Sequence, residues 1–238
     1  MGAQPPDPLV ASPSPMPFSS PGSPTLILVP TEIEARRLAE LGGFAIGHGL
    51  LSPCGFGPVA AAARTAELLA YLRPRRVLLL GCAGSYDLER APLGSATCFS
   101  GVVLDGVGAG RGESFLPPAR LGIPQWAGLD SGALIEERIE LCGDPGAPTL
   151  LTVCSACASP AEALERRRRY PWALAEDMEG FGAAFACRSA GVPLVIVRGF
   201  SNAVGERDKT RWRLHEAMAA VRARAIERLA EERWEPER

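Results

Sequence analysis

Lysine is almost missing from this chain: of its 25 basic residues only Lys209 is a lysine, and 27 acidic residues leave a formal net charge of -2. Without a basic excess the chain lacks the electrostatic footprint of a nucleic-acid binder. Long apolar runs are missing too. No stretch approaches the 18 or so residues needed to cross a bilayer, which excludes a helical membrane protein. Histidine occurs only as His48 and His215; neither has a partner at metal-ligand spacing, so both read as structural or solvated. The seven cysteines lack the regular spacing of a secreted disulfide framework and point to a reducing cytoplasm. Their one close pair, Cys154 and Cys157, has no second pair beside it and reads as small residues closing a strand rather than a redox or zinc site.

What remains is ample for a globular core. The 238 residues are 47% apolar and 22% charged, which fits one domain rather than two. Residues 1–24 hold eight prolines and five serines with no lysine or arginine; this segment reads as a disordered extension, with the folded domain at 25–238. From Thr25 onward, short apolar runs alternate with amphipathic ones, the rhythm of an α/β domain. The expected strands cover 25–29, 44–51, 77–80, 95–103, 148–153 and 193–197. The expected helices cover 32–41, 59–72, 178–189 and about 209–232.

Three segments that follow strands read as ligand-bearing loops. They are Pro30 to Glu34, the small-residue run Gly81-Cys82-Ala83-Gly84-Ser85, and Arg198-Gly199-Phe200-Ser201-Asn202. The run Gly55 to Ala60 imitates a dinucleotide fingerprint, yet the following strand ends in Leu80-Gly81-Cys82 without the acid that nicotinamide binding wants. Arg166 to Arg169 read as a solvated fan around a helix. The segment Glu176-Asp177-Met178-Glu179-Gly180 sets acids at the mouth of a helix, where the dipole alone could account for them.

Taken with the strand and loop that follow, ending Arg198-Gly199-Phe200-Ser201-Asn202, this segment resembles the nucleoside phosphorylase and nucleosidase superfamily. That superfamily carries a Met-Glu helix followed by a strand ending Arg-x-x-Ser-Asp or Arg-x-x-Ser-Asn. Within it the chain is most similar to the futalosine hydrolases of menaquinone biosynthesis. They share Val29-Pro30-Thr31-Glu32-x-Glu34, the turn Gly81 to Gly84, the run Ser201 to Asp208, and Trp212. The resemblance spans about residues 25–229. It implies a three-layer α/β/α fold around a central mixed, twisted sheet, no metal or organic cofactor, a small nucleoside as partner rather than nucleic acid or membrane, and a homo-oligomer, dimer or tetramer.

The same resemblance distributes the roles. Glu34 falls on the carboxylate that deprotonates water, and Glu179 on the acceptor of ribose hydroxyls. Asp177 lies beside it as a secondary ribose or charge-tuning group, with Met178 between them. Asn202 stands where relatives acting on 6-aminopurines carry Asp. An amide can donate to O6 while accepting from a protonated N7, so it suits a 6-oxopurine such as hypoxanthine. Cys82, Ala83 and Gly84 would border the base, with Phe200 packed beside it. Arg198 reads as a strand-end ion pair to Glu179 or Asp177. Trp212 reads either as a ligand-loop residue or as packing for the last helix. Phosphorylases need arginines converging on phosphate; Val77 to Leu80 carry none and Glu34 would repel the anion, so water is the expected nucleophile. Another purine nucleosidase, acting on a 6-oxopurine nucleoside or methylthioadenosine, and a non-catalytic nucleoside-binding protein are the alternatives.

Overall fold

The computed structural model describes residues 23–44, 49–128, 134–144, 146–232 and 234. The tail up to residue 22 and His48 lie outside them. In chain order the first half forms β1 (Thr25–Val29), α1 (Glu32–Glu40), β2 (Leu50–Pro53), α2 (Pro58–Leu72), β3 (Arg76–Ser85), β4 (Ala96–Cys98), β5 (Gly101–Leu104) and the single turn α3 (Pro118–Leu121). The second half forms β6 (Trp126–Ala127), β7 (Leu134–Ile135), β8 (Arg138–Glu140), β9 (Thr149–Thr152), α4 (Pro160–Arg169), β10 (Ala173–Asp177), α5 (Gly180–Ala190), β11 (Leu194–Ala203) and α6 (Leu214–Ala230).

Nine strands make one mixed sheet in the order β2-β1-β3-β10-β9-β5-β8, with β11 along β3 and β4 beyond it. β1 runs parallel to β2 and β3, and β11 parallel to β3. The central strands are apolar without alternation because both their faces are covered. Leu26, Leu28, Val77, Leu79, Leu194 and Ile196 face one core cluster, which contains Ala61 and Leu68 of α2 and Phe181 and Ala184 of α5. Their neighbours Ile27, Val29, Leu78, Leu80, Val195 and Val197 face the other, with Leu38 of α1 and Met218 and Val221 of α6. The result is the α/β/α sandwich anticipated above.

Several boundaries differ from the sequence reading. Of the expected strand 44–51, residues 45–48 lie outside the described residues and β2 begins at Leu50; residues 95–103 divide into two short strands. Two of the three supposed ligand loops are strand: β3 runs on through Gly81 to Ser85, and β11 through Arg198 to Ala203. Residues 173–177, not anticipated as a strand, form β10, so Glu176 and Asp177 lie at a strand end and the helix starts two residues late, at Gly180.

The strand extensions place the site. β1 pairs with β3 only over residues 76–79, whereas β10 pairs antiparallel with β3 at Gly84 and Ser85. Between these two partners lies the short stretch Leu80 to Ala83, and one wall of the cavity is built on it.

Candidate active site

Glu34 is set by the chain segment that leaves β1. Thr31-x-x-Glu34 is a capping box: the Thr31 hydroxyl accepts the Glu34 N–H, and Glu34 Oε2 accepts from Thr31 N at 3.1 Å and Thr31 Oγ1 at 2.8 Å. The other oxygen, Oε1, accepts the Cys82 N–H at 3.1 Å, in the stretch of β3 between its two partner strands. The carboxylate is thus held from both ends while its residue lines the cavity. Gly81 makes the approach possible, since an added Cβ would collide with Arg198 Nη1 and stand 2.7 Å from Glu34 Oε1. Arg198 Nη1 is buried and has no hydrogen-bond partner among the described residues.

The acids that follow have divided duties. Asp177 Oδ2 accepts the Gly180 N–H at 2.9 Å, and Thr152 Oγ1 accepts the Phe181 N–H at 2.8 Å, so these two groups satisfy the start of α5. Asp177 also holds the fully buried Arg198 through Nε at 2.9 Å and Nη2 at 2.6 Å, and takes the Thr152 hydroxyl at 2.6 Å. Its oxygens are therefore occupied by protein. Glu179 sits at the helix mouth without capping it. Its Oε1 accepts the Gly57 N–H at 3.2 Å, and its Oε2 lies 3.4 Å from Arg198 Nη2. Burial pushes the Glu179 carboxyl up to about 7; the nearby charges of Asp177 and Glu34 add to the rise, and Arg198 and the Gly57 N–H oppose it. The expected strand-end ion pair of Arg198 is present, with both acids named for it.

A β-bulge separates Asn202 from Phe200. Phe200 pairs with Ala83, and Asn202 pairs with the next residue, Gly84. Neighbours along a strand face opposite sides, so the two residues do as well. Phe200 accordingly packs in the core at 1% exposure and does not line the cavity, which removes it from the base-packing role assigned above. Asn202 does line it. Its Oδ1 accepts the Ser201 hydroxyl at 2.8 Å and its Nδ2 donates to the Ala203 carbonyl at 2.9 Å. Because a carbonyl can only accept, the amide orientation is settled, and one further N–H and one further lone pair remain for a ligand.

These groups surround a cavity of about 210 Å³. Glu34, Cys82, Ala83, Gly84, Asp177, Met178, Glu179 and Asn202 all line it, so every proposed site residue except Phe200 meets there. Phe56, Arg207 and Trp212 line it as well; Phe56 is 67% exposed, and the Trp212 indole donates to the Glu206 carbonyl at 3.3 Å. His215, at the start of α6, is not among the lining residues.

Glu176 is the lining carboxylate to which sequence reasoning gave no role. Its Oε2 accepts from Tyr86 Oη at 2.5 Å and Arg166 Nη1 at 2.7 Å, and its Oε1 accepts from Cys157 N at 3.1 Å. Arg166 also pairs with Asp105, Arg169 joins it there, and Arg167 pairs with Asp87. The arginine run is thus not a solvated fan: three of its four members are committed to ion pairs. Cys157 is buried beside Glu176, whereas Cys154 is exposed. No group of three or more potential metal ligands occurs among the described residues.

A mixed sheet that aims strand-end carboxylates and one amide into a single cavity defines a protein of the phosphorylase type. The family model described as the phosphorylase superfamily matches residues 43–232. The futalosine hydrolase of Streptomyces coelicolor is 37% identical over 197 residues, covering 80% of this chain and 82% of its own. That of Thermus thermophilus is 35% identical over 219 residues, covering 87% and 95%. The chain therefore belongs to the phosphorylase superfamily and, within it, to the futalosine hydrolase family. In fold it is similar to the 5′-methylthioadenosine/S-adenosylhomocysteine nucleosidase of Helicobacter pylori, with a TM-score of 0.67, 16% identity, and coverage of 89% of this chain and 100% of that one.

Proposed function

We propose that the chain hydrolyses the N-glycosidic bond of futalosine, releasing hypoxanthine and the free sugar. The observation that carries this reading is Glu34, a carboxylate fixed by Thr31 and Cys82 beside the unpartnered Arg198 Nη1. A water held by Glu34 at the cavity wall would be oriented toward the anomeric carbon. As the water oxygen bonds to C1′, the C1′–N9 bond breaks with its electron pair going to the base, and Glu34 takes the water proton. General-base assistance of this kind contributes about 10² to 10⁴ in rate.

Glu179 would accept the ribose hydroxyls and hold negative charge near the developing oxocarbenium. Asn202 would donate to O6 and accept from a protonated N7, stabilising the departing 6-oxopurine. A phosphate nucleophile is disfavoured because Glu34, Glu176, Asp177 and Glu179 line the cavity, against one lining arginine, Arg207. The enzyme needs no metal or organic cofactor for these steps. This reading includes work as a homo-oligomer in the cytoplasm; the exposed apolar side chains Phe56, Val59 and Tyr71 on and before α2 support self-association, which light scattering measures.

The test is to incubate the protein with futalosine, inosine and methylthioadenosine, with and without phosphate. The expected result is hypoxanthine from futalosine at a phosphate-independent rate, with a reducing sugar as co-product. A strict phosphate requirement with a sugar 1-phosphate product overturns the reading.

A further inference from the structure

The hydrolytic steps use Glu34, Glu179 and Asn202 and give the open rim of the cavity no work. Phe56, Arg207 and Trp212 line the cavity, and Phe56, at 67% exposure, and Arg207 are open to solvent as well. Phe56 precedes Gly57, whose N–H holds Glu179 Oε1 at 3.2 Å, so the ring stands one residue from the proposed ribose acceptor. Arg207 and Trp212 belong to the segment that leaves β11 beyond Asn202. Gly205 turns this segment at a φ of 86°, packed so closely on the Ser159 carbonyl that a Cβ would collide with it. The Trp212 indole then donates to the Glu206 carbonyl at 3.3 Å, and the Arg213 N–H reaches the Ser201 carbonyl at 2.7 Å. These two bonds tie the indole beside the Glu206–Arg207 peptide and close the loop back onto β11.

Arg207 is a cation held in place with nothing to hold. The acids on either side of it are occupied. Glu206 accepts from Arg211 Nη1 at 3.0 Å and from the Asp208 N–H at 2.8 Å. Asp208 accepts from the Thr210 N–H at 3.0 Å and hydroxyl at 2.6 Å, with Arg211 Nε at 3.7 Å. Arg211 thus serves both acids, and Arg207 makes no ion pair or side-chain hydrogen bond among the described residues. Farther in, Glu176 is paired with Arg166 and Asp177 with Arg198.

We infer that Arg207 is a second specificity residue, which binds a carboxylate at the far end of the substrate's C5′ substituent while Phe56 and Trp212 cover an aryl group that carries it. The inference rests on the nucleosidase reading and extends it from the base to the opposite end of the substrate. With the purine on Asn202, C1′ at Glu34 and the ribose hydroxyls on Glu179, C5′ is the position left to point toward the open rim. Flat rings bury an aryl group well, and the guanidinium fork matches a planar carboxylate. Of futalosine, inosine and methylthioadenosine, only futalosine ends in such a group, a benzoate; inosine ends in a hydroxyl and methylthioadenosine in a methylthio group. Arg207 therefore selects the side chain where Asn202 selects the base.

The discriminating substrates are futalosine and its benzoate methyl ester, which differ in that one charge. The wild type should prefer the free acid in kcat/KM by at least about tenfold, the weight of one charge-assisted hydrogen bond, and the preference should shrink as salt rises, because the rim is exposed. Arg207→Met keeps an unbranched stem and removes the charge, so the acid to ester ratio should fall to near unity. Arg207→Lys should keep a reduced preference, since an ammonium retains the charge without the fork. A residue that merely braced the loop would lower acid and ester alike and leave the ratio in place. Equal kcat/KM for acid and ester on the wild type overturns the inference, and so does a folded Arg207→Met protein with an unmoved ratio. In either case, if the wild type releases hypoxanthine from futalosine without phosphate, the nucleosidase reading stands. A wild type that cleaves no nucleoside removes both.

Discussion

Replacing Glu34 by Gln separates two duties that this carboxylate performs at once. It closes the capping box of α1, through Thr31 N and Thr31 Oγ1, and it accepts the Cys82 N–H across to β3. An amide keeps one acceptor and turns the other into a donor, so one of the N–H groups of Thr31 and Cys82 must face an NH2. A mismatch of that kind costs about 1–3 kcal/mol, and in a chain of this length each kcal/mol lowers Tm by about 2–4 °C. The catalytic effect should be larger. Gln cannot take the water proton, and losing base assistance of 10² to 10⁴ raises the barrier by about 2.7–5.4 kcal/mol.

The assay is therefore kcat at 25 °C, well below the transition, with calorimetry alongside and Thr31→Ala as the reference for the cap alone. Thr31→Ala removes a cap worth about 0.5–2 kcal/mol but leaves the base, so its Tm should fall while kcat changes by less than about tenfold. Glu34→Gln should show a comparable Tm with kcat reduced at least a hundredfold and KM nearly unchanged, because the amide still fills the same space. If Glu34→Gln retains more than about a tenth of kcat, a barrier change below about 1.4 kcal/mol, the base is another group.

Three further outcomes follow from the same geometry. Because burial pushes the Glu179 carboxyl up to about 7, its acceptor form is lost as pH falls; kcat/KM should rise through pH 7 toward an alkaline plateau, and a flat profile from pH 6 to 8 refutes the role. The stability contribution of this carboxyl runs oppositely, since a raised folded-state value favours the fold below the unfolded value of about 4.5 and is lost as pH rises through about 7. Asp177→Ala strips the buried Arg198 of its two shortest hydrogen bonds, leaving Glu179 at 3.4 Å as its remaining acid, and should cost about 3–5 kcal/mol in urea unfolding, much of it recovered by adding Arg198→Met; a loss under about 1 kcal/mol contradicts the pairing. Asn202→Asp puts an acceptor against the Ala203 carbonyl and O6 unless the new acid is protonated, so the futalosine to methylthioadenosine ratio of kcat/KM should drop by roughly 5- to 150-fold. An unchanged ratio would remove Asn202 from base selection.

Much of this fold can be read from local pattern. Thr25 to Val29 and Val77 to Leu80 are apolar on both faces, and Pro58 at the first turn of α2 marks a helix start. What the pattern hides is strand made by pairing rather than propensity. Gly81 to Ser85 and Ala173 to Asp177 are rich in small residues and acids that disfavour strands in isolation, yet flanking partners supply ladders for both. The same cause conceals Glu176, because its place opposite Asn202 depends on two registers meeting at Gly84 and no short-range signal encodes that. Phe200 was misplaced for a related reason: only the bulge reveals that it and Asn202 face apart. The box Thr31-x-x-Glu34, by contrast, is a legible helix start, and its acid turns out to face the cavity.

The handover of β3 from β1 to β10 sets how the site can open. Cys82 and Gly84 belong to a strand flanked by the sheet, and Asn202 and Glu176 belong to the strands beside it, so this wall of the cavity has no loop that could unfold alone. Amide protons of residues 81–85 and 194–200 should then exchange with deuterium only through global unfolding, at the slowest rates in the molecule. A ligand seated on such a surface cannot relax it locally. Its binding energy would appear undiminished as added global stability, RT ln(1 + [L]/Kd), so a melting shift with hypoxanthine or a nucleoside would report occupancy of the cavity directly.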